Sequence, residues 1–236
     1  MVNVLPRVMV LGRMTLDLLF PQRCIGCGRE GVFLCSDCRL LLSPISPPLC
    51  PLCGRPQPGG VLCESCIVRR PEIDGIRAPY VYGGVIRRAV HELKYRNLRA
   101  LARPLAGLLN DFLDDNHLPV GVLVPVPLHP KRLRERGYNQ SRLLAQELGR
   151  ISGRELVDDC LVRRHYTLSQ ARSAGVDERK HNVADAFTCR NGKLSGKSVL
   201  LIDDVMTSGA TLDACARALK TAGVSSVRGI VLAMEL

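Results

Sequence analysis

The chain has 236 residues, of which 46% are hydrophobic and 23% charged, a balance that suits a packed globular core and excludes a disordered chain. Lys and Arg number 33 against 22 Asp and Glu, a formal charge of +11, which suits a polyanionic partner or a phosphate-rich ligand. Tryptophan is absent and aromatics make up only 4%, which excludes a large base-stacking platform.

In residues 1–20, Val10, Met14 and Leu18, with Leu11 and Leu19 beside them, recur at helical spacing. That spacing predicts a short helix packed on the cysteine-rich segment after it. Arg7, Arg13 and Asp17 divide the stretch and no small-residue cleavage site comes after them, so it reads neither as a membrane span nor as a signal peptide. The expectation is a cytoplasmic protein with no membrane insertion.

Eight of the 11 cysteines fall between Cys24 and Cys66. This segment also carries Pro44, Pro47, Pro48, Pro51, Pro56 and Pro58. It is too rich in proline for long helices and too poor in apolar residues for a core of its own, so it needs metal. The cysteines form four C-x2-C pairs: Cys24 with Cys27, Cys35 with Cys38, Cys50 with Cys53, and Cys63 with Cys66. Such a turn presents two thiolates to one ion, and two turns complete a tetrahedral zinc site with four sulfur ligands. Gly28 and Gly54 come directly after the leading pair of each quartet, where a tight turn favours glycine.

Consecutive pairing into two sites is simplest, although an interleaved arrangement uses the same turns, and redox or iron–sulfur chemistry competes with zinc. Neither quartet leaves an open coordination position, so two structural Zn2+ ions are expected. Arg23, Arg29, Arg39, Arg55, Arg69 and Arg70 give this ribbon the means to contact nucleic acid. Cys160, Cys189 and Cys215 stand singly and read as buried thiols.

From about Pro71 the pattern changes, dividing the chain into a module over 1–70 and a domain over 71–236. Strands are predicted at 78–82, 120–126, 198–202 and 227–234, and helices at 85–95, 101–113, 139–151 and 211–222. Alternating strands and helices predict an α/β domain, a mainly parallel sheet covered on both faces.

The most informative stretch is SVLLIDDVMTSGATL, residues 198–212. An aliphatic strand ends in two acids, then a loop of small and hydroxylated residues leads into a helix. Ligands of open α/β sheets bind beyond the carboxyl ends of such strands. Asp203 and Asp204 are expected to emerge at that end. Thr207, Ser208, Gly209, Ala210 and Thr211 can wrap a phosphate with backbone N–H groups and hydroxyls at a helix N-terminus. The plain structural alternative, an acid pair ending a strand before a Thr-rich helix start, does not account for the whole order of features.

Residues 201–212 resemble the phosphoribosyl pyrophosphate (PRPP) signature of type I phosphoribosyltransferases. The resemblance implies that Asp203 and Asp204 hold the ribose 2′- and 3′-hydroxyls, and that residues 207–211 cradle the 5′-phosphate. It further implies Mg2+ accompanying PRPP. LLFPQRC at the ribbon's entry, ELKYRN (92–97), VPVPLHPKRLRERGYNQ (124–140) and RHYTLSQ…ERKHNVADAF (164–187) resemble the ComF/GntX family. That family joins an N-terminal zinc ribbon to a type I phosphoribosyltransferase-like fold, and its members are described as competence proteins for DNA uptake or as phosphoribosyltransferases. A helicase-like competence protein is the partner this resemblance implies.

Between 127 and 142, Lys131, Arg132, Arg134, Arg136 and Arg142 face Glu135 alone. These cations are expected at the sheet's carboxyl edge. By resemblance this loop binds pyrophosphate, which makes Arg132, Arg136 and the Gly137 amide candidates, with Lys94 and Tyr95 close by. A second cationic segment, 163–182, carries Arg163, Arg164, Arg172, Arg179 and Lys180; by resemblance it covers PRPP. Gln140, Gln170 and Asn182 either order these loops or read a base edge. His91, His129, His165 and His181 have no spacing that suggests a triad or a metal site.

Two functions compete. One is PRPP binding on a phosphoribosyltransferase fold that serves DNA uptake by contacting single-stranded DNA, chiefly through its backbone. The other is transfer of ribose 5-phosphate from PRPP to a small acceptor with release of pyrophosphate. Mg2+ and cationic loops would stabilise the leaving group, and no protein nucleophile is required. Fold alone does not separate them.

Overall fold

The structure, a computed structural model, describes residues 21–117, 121–163, 186–190 and 192–236. The helix expected in 1–20 and all but the first residue of the second cationic segment lie outside them.

The core is a five-stranded parallel sheet. β1 (Gly75–Arg77) and β2 (Tyr80–Val81) both pair with β7 (Ser226–Met234), which pairs with β6 (Ser198–Met206), which pairs with β3 (Val122–Pro125). Along β6 the side chains alternate between two cores. Leu200 and Ile202 pack with α3 (Gly84–Tyr95), α4 (Ala102–Asp115) and α6 (Gln140–Ser152), through residues such as Leu93, Leu109 and Leu144. Val199 and Leu201 pack on the other face with Leu212 and Leu219 of α7 (Ala210–Thr221). A strand buried on both faces needs this continuous aliphatic run. The same face receives an antiparallel pair, β4 (Leu161–Arg163) with β5 (Phe187–Cys189), which strand periodicity does not predict because each is only three residues long.

Helix boundaries obey local chemistry. Val85, Ile86, Ala89, Val90 and Leu93 form the buried stripe of α3, the spacing that a one-sided helix requires. Asn139 starts α6 by accepting a hydrogen bond from the Ser141 N–H, and Gly153 ends it in a left-handed conformation; both are cap residues by type.

Three expectations need correction. The strand expected at 78–82 is only Tyr80–Val81, and a separate strand, Gly75–Arg77, precedes it; the two are parted at Ala78–Pro79, because proline has no N–H for the ladder. The Pro79 carbonyl instead accepts from Ile45, and Val81 N–H donates to Ser43, so a ribbon segment covers this edge. The basic loop contains a helix, α5 (Pro130–Arg136), capped by His129 and Gly137. β6 runs on to Met206, so Asp203 and Asp204 lie within the strand rather than beyond its end.

The cysteine-rich segment holds two short helices, α1 (Ser36–Leu40) and α2 (Glu64–Val68). The second ribbon docks on the sheet edge: Ile76 N–H donates to the Leu52 carbonyl at 2.7 Å. Gly54 is required at this contact, because it has φ 72° and a Cβ there would stand 2.3 Å from the Ile76 carbonyl oxygen. Among the described residues, no helix is long and apolar enough to cross a membrane.

Candidate functional site

The cysteines form two separate clusters, Cys24, Cys27, Cys35 and Cys38 in one and Cys50, Cys53, Cys63 and Cys66 in the other, with the sulfurs of each within 4.8 Å of one another. The pairing is consecutive, which resolves the alternative that the sequence leaves open. A Zn–S distance of about 2.3 Å in a tetrahedron places sulfurs about 3.8 Å apart; Cys27 and Cys35 are 3.7 Å apart, and Cys53 and Cys63 are 3.6 Å apart.

Backbone donors prepare these thiolates. Burial raises the Cys24 thiol, but the N–H groups of Cys35, Cys27 and Gly26 outweigh it and bring it down to about 6. Cys50 is likewise brought down to about 6, against burial, by N–H groups of Cys63, Cys53 and Leu52. Burial and sulfur neighbours push Cys38 up to about 12 and Cys66 well up, as expected of crowded thiols. Four sulfurs with no open position fit a structural Zn2+ in each site.

Of the three lone cysteines, Cys160 and Cys215 are fully buried, whereas Cys189 is only partly so. Burial raises all three thiols, which leaves them poor nucleophiles.

The phosphate loop lies at the carboxyl end of β6. Asp203, Val205, Met206, Thr207, Ser208, Gly209, Ala210, Thr211 and Leu212 line one cavity of about 50 Å3. Gly209 caps α7 with φ 78°, a left-handed turn that places the start of the helix at this cavity. Asp203 accepts from the Ser141 hydroxyl at 2.7 Å and from the Asp204 N–H at 2.9 Å. Burial, then the charge of Asp204, push the Asp203 carboxyl up to about 7, against the pull of Ser141, the Asp204 N–H and Lys94.

Asp204 is not in that cavity. Its side chain is 4% exposed and ion-paired with Lys94 at 2.7 Å. Lys94 also lines a second, larger cavity of about 650 Å3, with Tyr95, Asn97, Arg99, Arg132, Glu135, Arg136 and Tyr138. Lys94 is thus the link between the acid pair and a basic basin. The basin is ordered from within: the Arg99 guanidinium lies 4.5 Å from the Tyr138 ring centre, and that of Arg136 5.5 Å from Tyr95. Arg136 also donates to Gln140, and the Tyr138 hydroxyl to the Leu93 carbonyl.

The structure therefore brings together Lys94, Arg132 and Arg136 of the expected anion set, but not the Gly137 amide. Gly137 N–H donates to the Leu133 carbonyl at 2.8 Å, closing α5, and the residue does not line the basin. Arg142 is occupied by Asp158 at 2.6 Å. His129 accepts from the Lys131 N–H through Nδ1; burial, then the cations Arg163, Arg134, Lys131 and Arg132, lower its pKa, which favours the neutral ring that this bond needs.

Sequence reasoning misses Arg99 and Ser141 as site residues. Arg99 lies just beyond the ELKYRN segment, but Ser141 reads as an ordinary first-turn residue of a helix. A third omission is Arg55, whose Nη2 donates to the Thr207 carbonyl at 2.5 Å; in sequence it is one of six arginines of the ribbon with nothing to set it apart.

Comparisons with known proteins agree with this layout. The chain matches the double zinc ribbon domain family over residues 15–67 and the phosphoribosyl transferase domain family over residues 140–235. It is 32% identical over 208 residues to "Competence protein ComFC" of Bacillus subtilis (strain 168), covering 82% of each chain. It is 30% identical over 223 residues to "Competence protein F" of Haemophilus influenzae, covering 89% of this chain and 95% of that one. It is 28% identical over 186 residues to "DNA utilization protein YhgH" of Escherichia coli (strain K12), covering 76% and 81%. A parallel α/β sheet of phosphoribosyltransferase type preceded by two four-cysteine sites, together with identity at this level over most of the chain, places the chain in the ComF family of competence proteins.

Proposed function

We propose that this protein binds PRPP and uses the same basic surface to contact single-stranded DNA during DNA uptake. The observation that carries the reading is the shared cavity at the end of β6, where Asp203 meets the Thr207–Thr211 loop. In this reading the loop's N–H groups and hydroxyls hold the 5′-phosphate and Asp203 takes a ribose hydroxyl, while Asp204, buried against Lys94, takes the other once PRPP draws Lys94 toward its pyrophosphate. Lys94, Arg132 and Arg136 take the pyrophosphate. The Asp203 carboxylate beside a phosphate cradle also suits Mg2+ brought in with PRPP, since Mg2+ prefers carboxylate and phosphate oxygens.

The names of the relatives support the DNA side: two are competence proteins and one is a DNA utilization protein. The same reading divides the chain into a ribbon module over 1–70 and a PRPP domain over 71–236, and gives it a cytoplasmic location and a helicase-like competence partner. The basic basin is what a DNA backbone would meet. It offers Lys94, Arg99, Arg132 and Arg136, and about 0.7 counterions are released per single-strand phosphate neutralised, so log affinity should fall with log salt at a slope of roughly −3.

Fluorescence anisotropy of a labelled single strand, across a salt series with and without PRPP and Mg2+, tests this. Salt-sensitive binding that PRPP displaces supports the reading. Absence of binding at low salt, or binding indifferent to PRPP, contradicts the DNA half.

A second reading, a true transferase, is favoured by one feature: the basin joins the acid pair through Lys94, where a departing pyrophosphate needs cations. Pyrophosphate release from PRPP with a panel of bases and amines would show it; no release with any acceptor leaves binding as the function.

A further inference from the structure

We infer that Arg55, supplied by the second zinc ribbon, is a positioning residue of the phosphate loop: it sets the Thr207–Ser208 peptide so that the Ser208 N–H faces the phosphate cavity. The inference rests on the proposed reading of that loop as a 5′-phosphate cradle.

Arg55 Nη2 donates to the Thr207 carbonyl at 2.5 Å, across 152 residues of sequence. Thr207 and Ser208 line the cavity, whereas Arg55 does not. The Thr207 carbonyl is therefore engaged by the ribbon, through a residue that does not line the cavity. A trans peptide is planar, with its C=O and the next N–H on opposite sides. With the carbonyl held by the ribbon, the Ser208 N–H is directed to the opposite side. A flip of this peptide would replace a donor with a carbonyl oxygen at the mouth of an anion site.

Arg55 can act as a fixed point because its own backbone is held. Its carbonyl accepts from Cys50 N–H at 2.8 Å, and Gly54 N–H donates to the Cys50 carbonyl at 3.0 Å. The ribbon is in turn tied to the sheet: the Pro51 carbonyl accepts from Arg77 Nη1 at 3.0 Å and the Leu52 carbonyl from Ile76 N–H at 2.7 Å. Ile76 continues the contact into the loop, since its Cδ1 lies 3.4 Å from where a Cβ on Gly209 would be. The ribbon, β1 and the loop thus form one packed unit, and the ribbon has a task at the ligand site beyond holding itself folded.

Arg55→Ala removes the side-chain donor but keeps the residue's backbone bond to Cys50 and leaves the basin residues in place. Titration of ribose 5-phosphate and, separately, of inorganic pyrophosphate into wild type and variant distinguishes the outcomes. The expected result is about a tenfold loss of affinity for ribose 5-phosphate, the loss typical of one charge-assisted hydrogen bond. Pyrophosphate affinity and the two bound zincs should be retained, because Arg55 neither lines the basin nor supplies a zinc ligand.

Arg55→Lys keeps a cationic donor and should restore most of the loss, whereas a merely structural role would show no such recovery. Unchanged ribose 5-phosphate affinity in Arg55→Ala, or an equal loss for both ligands, overturns the inference alone. Failure of the wild type to bind ribose 5-phosphate or PRPP overturns the underlying reading and the inference with it.

Discussion

Replacing Lys94 by Met removes the cation from a carboxylate that has almost no access to water. The Lys94 ammonium and the Asp204 carboxylate are 2.7 Å apart, with side-chain exposures of 21% and 4%. Breaking a buried pair by deleting one partner costs about 3–5 kcal/mol, because the remaining charge is left uncompensated. Lys94 is one-fifth exposed, so water reaches the pair from the basin side and the expected loss is the lower figure, about 3 kcal/mol. For a chain of this size that corresponds to a fall of roughly 6–12 °C in melting temperature.

Lys94→Met combined with Asp204→Asn removes both charges and should recover much of the loss, giving a coupling of about 2 kcal/mol in the cycle. Urea unfolding of the four zinc-loaded proteins near neutral pH measures it. If the two single losses add to within about 0.5 kcal/mol in the double variant, the pair is not coupled and the reasoning fails.

Other consequences are open to direct test. Gly54→Ala, at φ 72° and against the Ile76 carbonyl, should push the second ribbon off β1; limited proteolysis should then cut that ribbon faster while the first quartet keeps its zinc. Cys→Ser at one ligand of either quartet should lower the metal content from two zincs to one by mass spectrometry, and an unchanged count would contradict two independent sites. Asp203 has its pKa raised from 3.8 to about 7, so the folded state holds that proton more tightly than the unfolded chain does. Its contribution is complete below the ordinary carboxylate range and is lost as pH rises through about 7. The stability of Asp203→Asn relative to wild type should therefore grow from about pH 4 to about pH 7 and then level off, and a flat difference would contradict the burial argument.

Residues 198–212 show why much of the site is legible in sequence: the strand, acids, loop and helix start are contiguous, and each has a local physical signal. The zinc quartets are legible for the same reason, apart from their pairing, which depends on how the turns meet in space. Helix α5 is hidden because it buries no residue, so it has no apolar periodicity to read; only its caps, His129 and Gly137, announce it. The same turn chemistry explains the misassigned Gly137 amide, which the helix end consumes. The Lys94–Asp204 pair and the Arg55–Thr207 contact join residues that are remote in sequence. Lys94 is singled out in sequence only by the resemblance of ELKYRN, and nothing local distinguishes Arg55 from its cationic neighbours; the partners of both are set by the packing of α3 and of the second ribbon against the sheet.

The most direct test of the central claim is a calorimetric titration of PRPP with Mg2+ into the zinc-loaded protein and its Asp203→Asn/Asp204→Asn variant. Wild type is expected to bind PRPP, and the variant to lose it while keeping two zincs per chain. Retained affinity in the variant, or no binding by the wild type, would contradict the assignment of this site.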